Sequence, residues 1–247
     1  MFRLAWWVLV SITPQVISVL DADPELGGAL SDEERALAHR HAVAAAYALP
    51  KGPIAAAHHP VGDEDQQVFG LLILSGLVIR ELDVAGRQTA ELLGRGDLIR
   101  PWDEEPLDPL PGAVRWSVLQ PVQVAALDRR FAAVAGRFPS ILETLTARAD
   151  ARARTLAVQR ALAQIPRVDA RLLVLLWRLA DRWGTVTPEG VQLPIVLTHD
   201  TLAKLVGARR PSVTTAVGVL TDAGLIERVE GGFRLLGDPV AVLPDML

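Results

Sequence analysis

Residues 198–236 limit the folds open to this chain more than any other stretch. The surrounding run, LTHDTLAKLVGARRPSVTTAVGVLTDAGLIERVEGGFRLLG, reads as two short helices around a glycine turn, then a small β-hairpin. Thr198 suits the N-cap of the first helix, because its hydroxyl can accept a free backbone N–H one turn in. Leu202, Leu205 and Val206 follow at the i, i+3, i+4 spacing of one apolar face. Gly207 fits the left-handed position past a helix end, and Pro211 fits the first turn of the next helix, where no intrahelical donor is lost. Val213, Ala216, Val217 and Leu220 make the buried face of that second helix, and Gly224 ends it. Gly231-Gly232 reads as a two-residue turn between strands 226–230 and 233–236. Arg209, Arg210, Ser212, Thr214 and Thr215 are left on the outer face. They are cations and hydroxyls, able to bond phosphates and base edges.

That order of elements is a winged helix-turn-helix, whose second helix usually lies in a DNA major groove. Thr198 and Lys204 are expected near phosphates. The alternative is two surface helices and a hairpin with no nucleic-acid partner. Charge favours the first reading. The chain carries −4 overall, yet residues 147–237 hold 13 Lys/Arg against 8 Asp/Glu, a net of +5. Residues 1–146 hold 12 basic and 19 acidic residues, a net of −7. A basic segment behind an acidic one fits local attraction to a polyanion.

With 247 residues, half of them apolar, the chain can bury one large core or two small ones. The sequence has no cysteine. Disulfides, thiolate-held iron–sulfur clusters and cysteine nucleophiles are therefore excluded, and a reducing cytosol is compatible. Residues 4–20 are strongly apolar, with Trp6 and Trp7, but short for a membrane span and interrupted by Ser11, Thr13, Pro14 and Gln15. They lack a small-residue cleavage site for a signal peptide. Residues 1–20 are read as an apolar leader, of which residues 1 to about 15 either lead into a β-strand or extend upstream of the native protein. The expected location is the cytoplasm.

Ser31 followed by Glu34 is a capping-box signature, and the Ala-rich stretch behind it predicts a helix to about Tyr47. From Val68 the pattern changes to short strands: 68–74, 77–84, 88–93 and 98–99. Turns are expected at Ser75-Gly76, Ala85-Gly86 and Gly94-Arg95-Gly96. Residues 116–127 continue the β pattern past a Pro-rich loop, 101–112. A small barrel or sandwich follows from this spacing. A short helix is expected to end near Gly136, and Pro139 to open a long one reaching about Ile165. Leu142, Leu145, Ala149, Ala153 and Leu156 form a narrow stripe along it, either a two-fold dimer seam or an ordinary packed face. A further apolar helix runs from Val168 through Ala180, then a loop TVTPEG and a strand VQLPIVL.

This organisation resembles the Crp/Fnr (cyclic-AMP-receptor-type) transcription regulators over residues 21–238. The resemblance is carried by VDARLLVLLWRLADRWG, PEGVQLPIVLT and LVGARRPSVTTAVGVLTDAGLI. It is carried also by LLILSGLVIRELDVAGRQTAELLGRGDLI, with the Gly-Asp turn at Gly96-Asp97. It implies an α+β protein: a cyclic-nucleotide-binding-like β-roll or barrel over 21–138, a dimerisation helix over 139–165, a winged helix-turn-helix over 166–238, and a tail over 239–247. The resemblance further implies a homodimer on a roughly palindromic double-stranded DNA operator, with RNA polymerase and a small-molecule effector of unknown identity as further candidate partners. Two departures matter. Cyclic-nucleotide binders of the family follow the turn with a Gly-Glu pair and, later, an Arg-Ser or Arg-Thr step. Here LIRPWDEEPLDPLPGAVRW follows, Arg100 falls near the carboxylate position, and Asp103, Glu104 and Glu105 would repel a phosphate. Usual cyclic AMP or GMP binding is not expected. In the second helix the family's Arg-Glu…Arg readout set becomes Arg210, Pro211 and Thr215, so the usual operator consensus does not carry over.

Other constellations are weaker. His39, His41 and the pair His58-His59 lack metal-ligand spacing. Gly94-Arg95-Gly96 has Ile99 where a dinucleotide loop needs its third glycine. Asp103–Glu105 reads as a solvated loop, and Trp102 and Trp116 as core. No cofactor, membrane partner or catalytic residue is expected. The rival function is a small-molecule sensor or protein-interaction module whose winged helix binds no DNA.

Overall fold

The computed structural model describes residues 14–54, 68–103, 109–242, 244 and 246. The expectations for His58-His59, for Glu104 and Glu105, and for residues 1–13 lie outside them. The described chain divides into two compact units. The first comprises the residues up to Gly86 together with Glu91–Arg154; the second comprises Arg87–Ala90 and the chain from Thr155 onward.

In the first unit, β1 (Gln15–Ser18) leads through the short helix α1 (Val19–Ala22) and a 3-10 turn (Pro24–Gly27) to α2 (Asp32–His41). The capping box forms: Ser31 Oγ accepts the Glu34 N–H, and the Glu34 carboxylate accepts the Ser31 N–H. These bonds hold the Glu34 carboxyl below its usual range. The helix ends at His41, not near Tyr47. Residues Val43–Leu49 form β2 instead, paired antiparallel between β1 and β7. Alanine favours helices, but the small residues here lie between two strands with alternating burial, and ladder pairing outweighs propensity.

The sheet continues with β3 (Gly52–Ile54), β4 (Gly70–Val84), β5 (Arg87–Gly94), β6 (Leu98–Ile99) and β7 (Gly112–Leu127). Its order is β1-β2-β7-β4-β5, with β3 against β7 and β6 against β4. Successive residues of β4 point to opposite faces. Leu72 and Leu74 pack with Leu26, Phe131 and Ile141 under the helices. Leu71, Ile73 and Val78 pack with Leu93, Trp116 and Val118 on the other side. Trp116 and Trp102 are thus part of the core, as the sequence suggests.

Ser75-Gly76 is not a turn. β4 is one strand whose register with β7 shifts around Ser75 and Leu77. Glycine is required there because Gly76 has φ +82°, and a Cβ would lie 2.1 Å from the Pro121 carbonyl oxygen. A bulge lets a long strand bend without ending. Gly76→Ala is expected to destabilise the unit by more than the roughly 1–2 kcal/mol of the left-handed conformation alone, because backbone must also move. A lowered urea midpoint with an unchanged slope would bear this out; an unchanged midpoint would count against it. The turn at Ala85-Gly86 does form, with φ +50° and +76°.

After α3 (Arg129–Ala135) comes α4 (Pro139–Leu162), within which the boundary between the units falls. At about 1.5 Å per residue, its 24 residues span roughly 36 Å. Two arginines fix its first part within the first unit. Arg148 reaches Asp23 (Nη2 to Oδ1 2.9 Å) and Glu25 (2.8 Å), and these bonds push its pKa up. Arg152 binds both oxygens of Glu91, at 2.7 and 2.8 Å. Ile141 is the buried residue of the helix, while Leu142 and Leu156 are 43 % and 38 % exposed. Of the stripe foreseen in the sequence, Leu142, Ala149, Ala153 and Leu156 are exposed in the single chain, while Leu145 packs against the core of the first unit.

The second unit holds α5 (Val168–Trp183), β8 (Thr185–Thr187), β9 (Gly190–Leu193), α6 (His199–Val206), α7 (Arg210–Asp222), β10 (Ile226–Val229), β11 (Gly232–Leu235) and α8 (Pro239–Val242). Its sheet runs β10-β11-β9-β8. Thr185–Thr187, expected as loop, pairs with β9, and the strand expected through Leu197 stops at Leu193, before Pro194. Proline offers no ladder donor. Leu172, Leu173 and Leu176 of α5 are buried, as are Leu202 and Leu205 of α6, Val213, Ala216 and Leu220 of α7, and Phe233 and Leu235 of the sheet.

A candidate nucleic-acid interface on the second helix and hairpin

The turn between α6 and α7 is held from both sides. Thr198 caps α6 by accepting the Thr201 N–H at 3.1 Å, and Gly207 closes it in the left-handed conformation at φ +62°. The last carbonyls of α6 are satisfied from neighbouring helices. Arg171 of α5 donates to Val206 O and Gly207 O at 3.0 and 3.3 Å, and Gln159 of α4 donates to Leu205 O at 2.9 Å. Arg209 then stands at the N-cap of α7, with proline in the first turn. Two neighbouring helices thus fix the end of α6, from which the turn leads into α7.

Every polar residue expected on its outer face is there. Arg209, Arg210, Ser212, Thr214 and Thr215 are exposed, while Val213, Ala216, Val217 and Leu220 are buried on the opposite side. The two threonines are less open to a ligand than their exposure suggests. Thr214 Oγ1 donates to Arg210 O at 3.1 Å, and Thr215 Oγ1 donates to Pro211 O at 3.3 Å. With the proton committed to the helix, the Thr215 hydroxyl offers lone pairs outward, suited to accepting from a base amino group, while one lone pair of Thr214 is taken by His199. Thr198 is exposed at the mouth of α6. Lys204 is only 16 % exposed along its side chain and its ammonium lies 2.8 Å from Asp200, so its charge is partly matched within the protein.

Two residues of this surface escaped the sequence reading. His199, first residue of α6, has Nδ1 2.9 Å from Thr214 Oγ1 on α7. Its Nε2 meets the guanidinium of Arg228 on β10. Burial, then the charges of Arg228 and Arg210, push the imidazole pKa down. Arg228 also lies over the Phe233 ring, 5.4 Å from its centroid. Partners 15 and 29 residues away leave no local periodicity to find. The hairpin corrects the sequence by one residue. Val229 pairs with Gly232, so Glu230-Gly231 is the loop and Gly232 belongs to the strand. A Cβ on Gly232 would lie 2.0 Å from Leu193 O, so this glycine serves the close approach of β9.

The Gly96-Asp97 turn forms with φ +87° at Gly96, and the Asp97 carboxylate accepts the Gly94 N–H at 2.8 Å. Arg148 lies beside Gly96, its guanidinium already matched by Asp23 and Glu25. Asp103 pairs with Arg100 at 2.9 Å, and His39 with Asp21 at 2.6 Å. Among the described residues no cluster of His, Cys, Asp or Glu is placed to hold a metal ion, and no helix is long and apolar enough to cross a membrane.

Comparison with known proteins agrees with this geometry. Residues 170–237 match the family described as Crp-like helix-turn-helix domain. No curated protein sequence matches. Among solved structures, a CooA mutant from Carboxydothermus hydrogenoformans is similar at 19 % identity and a TM-score of 0.60, over 81 % of this chain and 85 % of that one. The c-di-GMP responsive global regulator CLP of Xanthomonas campestris is similar at 17 % identity and a TM-score of 0.56, over 83 % and 98 %. TTHA1359, a CRP/FNR-family transcriptional regulator from Thermus thermophilus, is similar at 19 % and 0.55, over 81 % and 97 %.

Proposed function

We propose, from the premise that residues 170–237 are a Crp-like helix-turn-helix domain on a chain with the Crp/Fnr fold, that this protein is a sequence-specific DNA-binding transcription regulator acting as a homodimer. The observation that carries the reading is the row Arg209, Arg210, Ser212, Thr214 and Thr215, exposed on a helix whose other face is buried. Cations and oriented hydroxyls on a rigid helix match the polar edges of the major groove. Arg210 is assigned to base readout. Arg209, Thr198 and Lys204 are assigned to phosphates.

The homodimer is supported by the outward stripe of α4. A two-fold partner would cover the exposed Leu142, Ala149, Ala153 and Leu156 with the same residues of its own, Leu145 being turned towards its own core. Such an axis would present two copies of α7 to successive major grooves of one duplex. On this reading the protein has no catalytic role and works in the cytoplasm with the DNA it binds. An effector, where one acts, is not a cyclic nucleotide held in the usual way.

Fluorescence anisotropy against duplex DNA at two salt concentrations tests the reading. A protein that neutralises six or more phosphates loses about 10³–10⁵-fold in affinity between roughly 50 and 200 mM salt. A flat, salt-independent signal would instead point to a sensor or a protein-docking module.

A further inference from the structure

His199 joins three elements of the second unit: it opens α6, bonds Thr214 on α7, and receives Arg228 from β10. The bonds run in one direction. Arg228 can only donate, so Nε2 must be the acceptor and carries no proton. Nδ1 then carries the proton and donates to Thr214 Oγ1, which in turn donates to Arg210 O. Four groups form a single donor chain from the hairpin to the first turn of α7. It exists only while the imidazole is neutral.

We infer that His199 is a proton-linked residue of the DNA interface: engaging a duplex draws Arg228 off Nε2, and the vacated nitrogen takes up a proton from solvent. The inference rests on the DNA-binding reading above. A phosphate is a stronger partner for a guanidinium than a neutral imidazole is, since both members are charged. Once Arg228 turns to a phosphate, the Nε2 lone pair is free and binds one proton, with no other bond made or broken. The groups bearing on the ring change in the same sense. The charges that act on it are Arg228 from β10 and Arg210 from α7, both cations. Asp200, the next residue, is held by Lys204. In the free protein the two arginines oppose protonation. On DNA their charge is matched by phosphates and base edges, and the phosphates themselves favour an imidazolium.

The sign follows from linkage. The imidazole pKa is depressed in the free protein and higher in the complex, so affinity rises as pH falls through the bound value. It levels off below the free value. Each unit by which DNA raises the pKa gives about tenfold tighter binding at the acidic plateau.

The test is duplex binding by the full chain at constant salt from about pH 8 to 5.5, a range that brackets the ordinary imidazole value of about 6.5. Wild type is expected to tighten towards acid. His199→Gln keeps an acceptor and a donor but cannot titrate, and is expected to bind with a flattened pH profile. NMR titration of the His199 ring, free and with duplex, supplies a second measurement that needs no variant; the expected result is a higher pKa in the complex. Equal pH slopes in wild type and His199→Gln, or an unchanged His199 pKa on DNA, would overturn the proton linkage while leaving DNA binding intact. Failure of the wild-type chain to bind any duplex at any pH would remove both.

Discussion

Arg148→Ala is expected to destabilise the N-terminal unit by about 3–5 kcal/mol, the usual range when one member of a buried pair is removed. The Asp23 side chain is only 1 % exposed, and its two oxygens rest on the Arg148 guanidinium. Alanine would leave that carboxylate buried with no cation, in a segment 125 residues away in sequence. Glu25 adds little, because it is exposed and screened by water. Urea unfolding reads the effect directly. Replacing the pair together, Arg148→Met with Asp23→Leu, should recover most of the loss, since the damage comes from the stranded charge. A single variant within about 1 kcal/mol of wild type would show that Asp23 finds water or another partner.

The second large effect concerns recognition. Arg210→Ala should lower discrimination between a selected site and random duplex by about 10- to 100-fold, the roughly 1–3 kcal/mol typical of a bidentate arginine–guanine contact. Arg210 is exposed one residue past the N-cap of α7, with a backbone carbonyl anchored by Thr214. Affinity for random duplex should fall much less, since on the proposed reading Arg209 remains to contact a phosphate. Equal losses on both duplexes would reassign Arg210 to the phosphates.

Much of this structure was legible where local chemistry decides. The Ser31–Glu34 box, the Thr198 cap, the Gly207 stop and the buried face of α7 all follow from bonds made within one or two turns. Apart from the strand that stops before Pro194, the differences share one cause, which is that distant chain overrides local preference. Ala44–Ala46 read as helix until β7 supplied a ladder to pair with. Gly76 read as a turn because only the Pro121 backbone, 45 residues on, shows why a glycine is needed inside a strand. Gly232 read as part of a turn for the same reason, its real constraint being Leu193 O. At the candidate interface the exposed row was readable because it is what a buried helical face leaves behind. His199 and Arg228 were not, because neither belongs to a pattern until the hairpin folds back beside α6.

The central claim is that two copies of this chain, joined through α4, address one duplex with their α7 helices. Selecting bound sequences from a random DNA pool with the full chain tests it most directly. The expected outcome is an enriched motif of two inverted half-sites, with centres about one helical turn apart. A pool that enriches nothing, or a single unrepeated element, would contradict it.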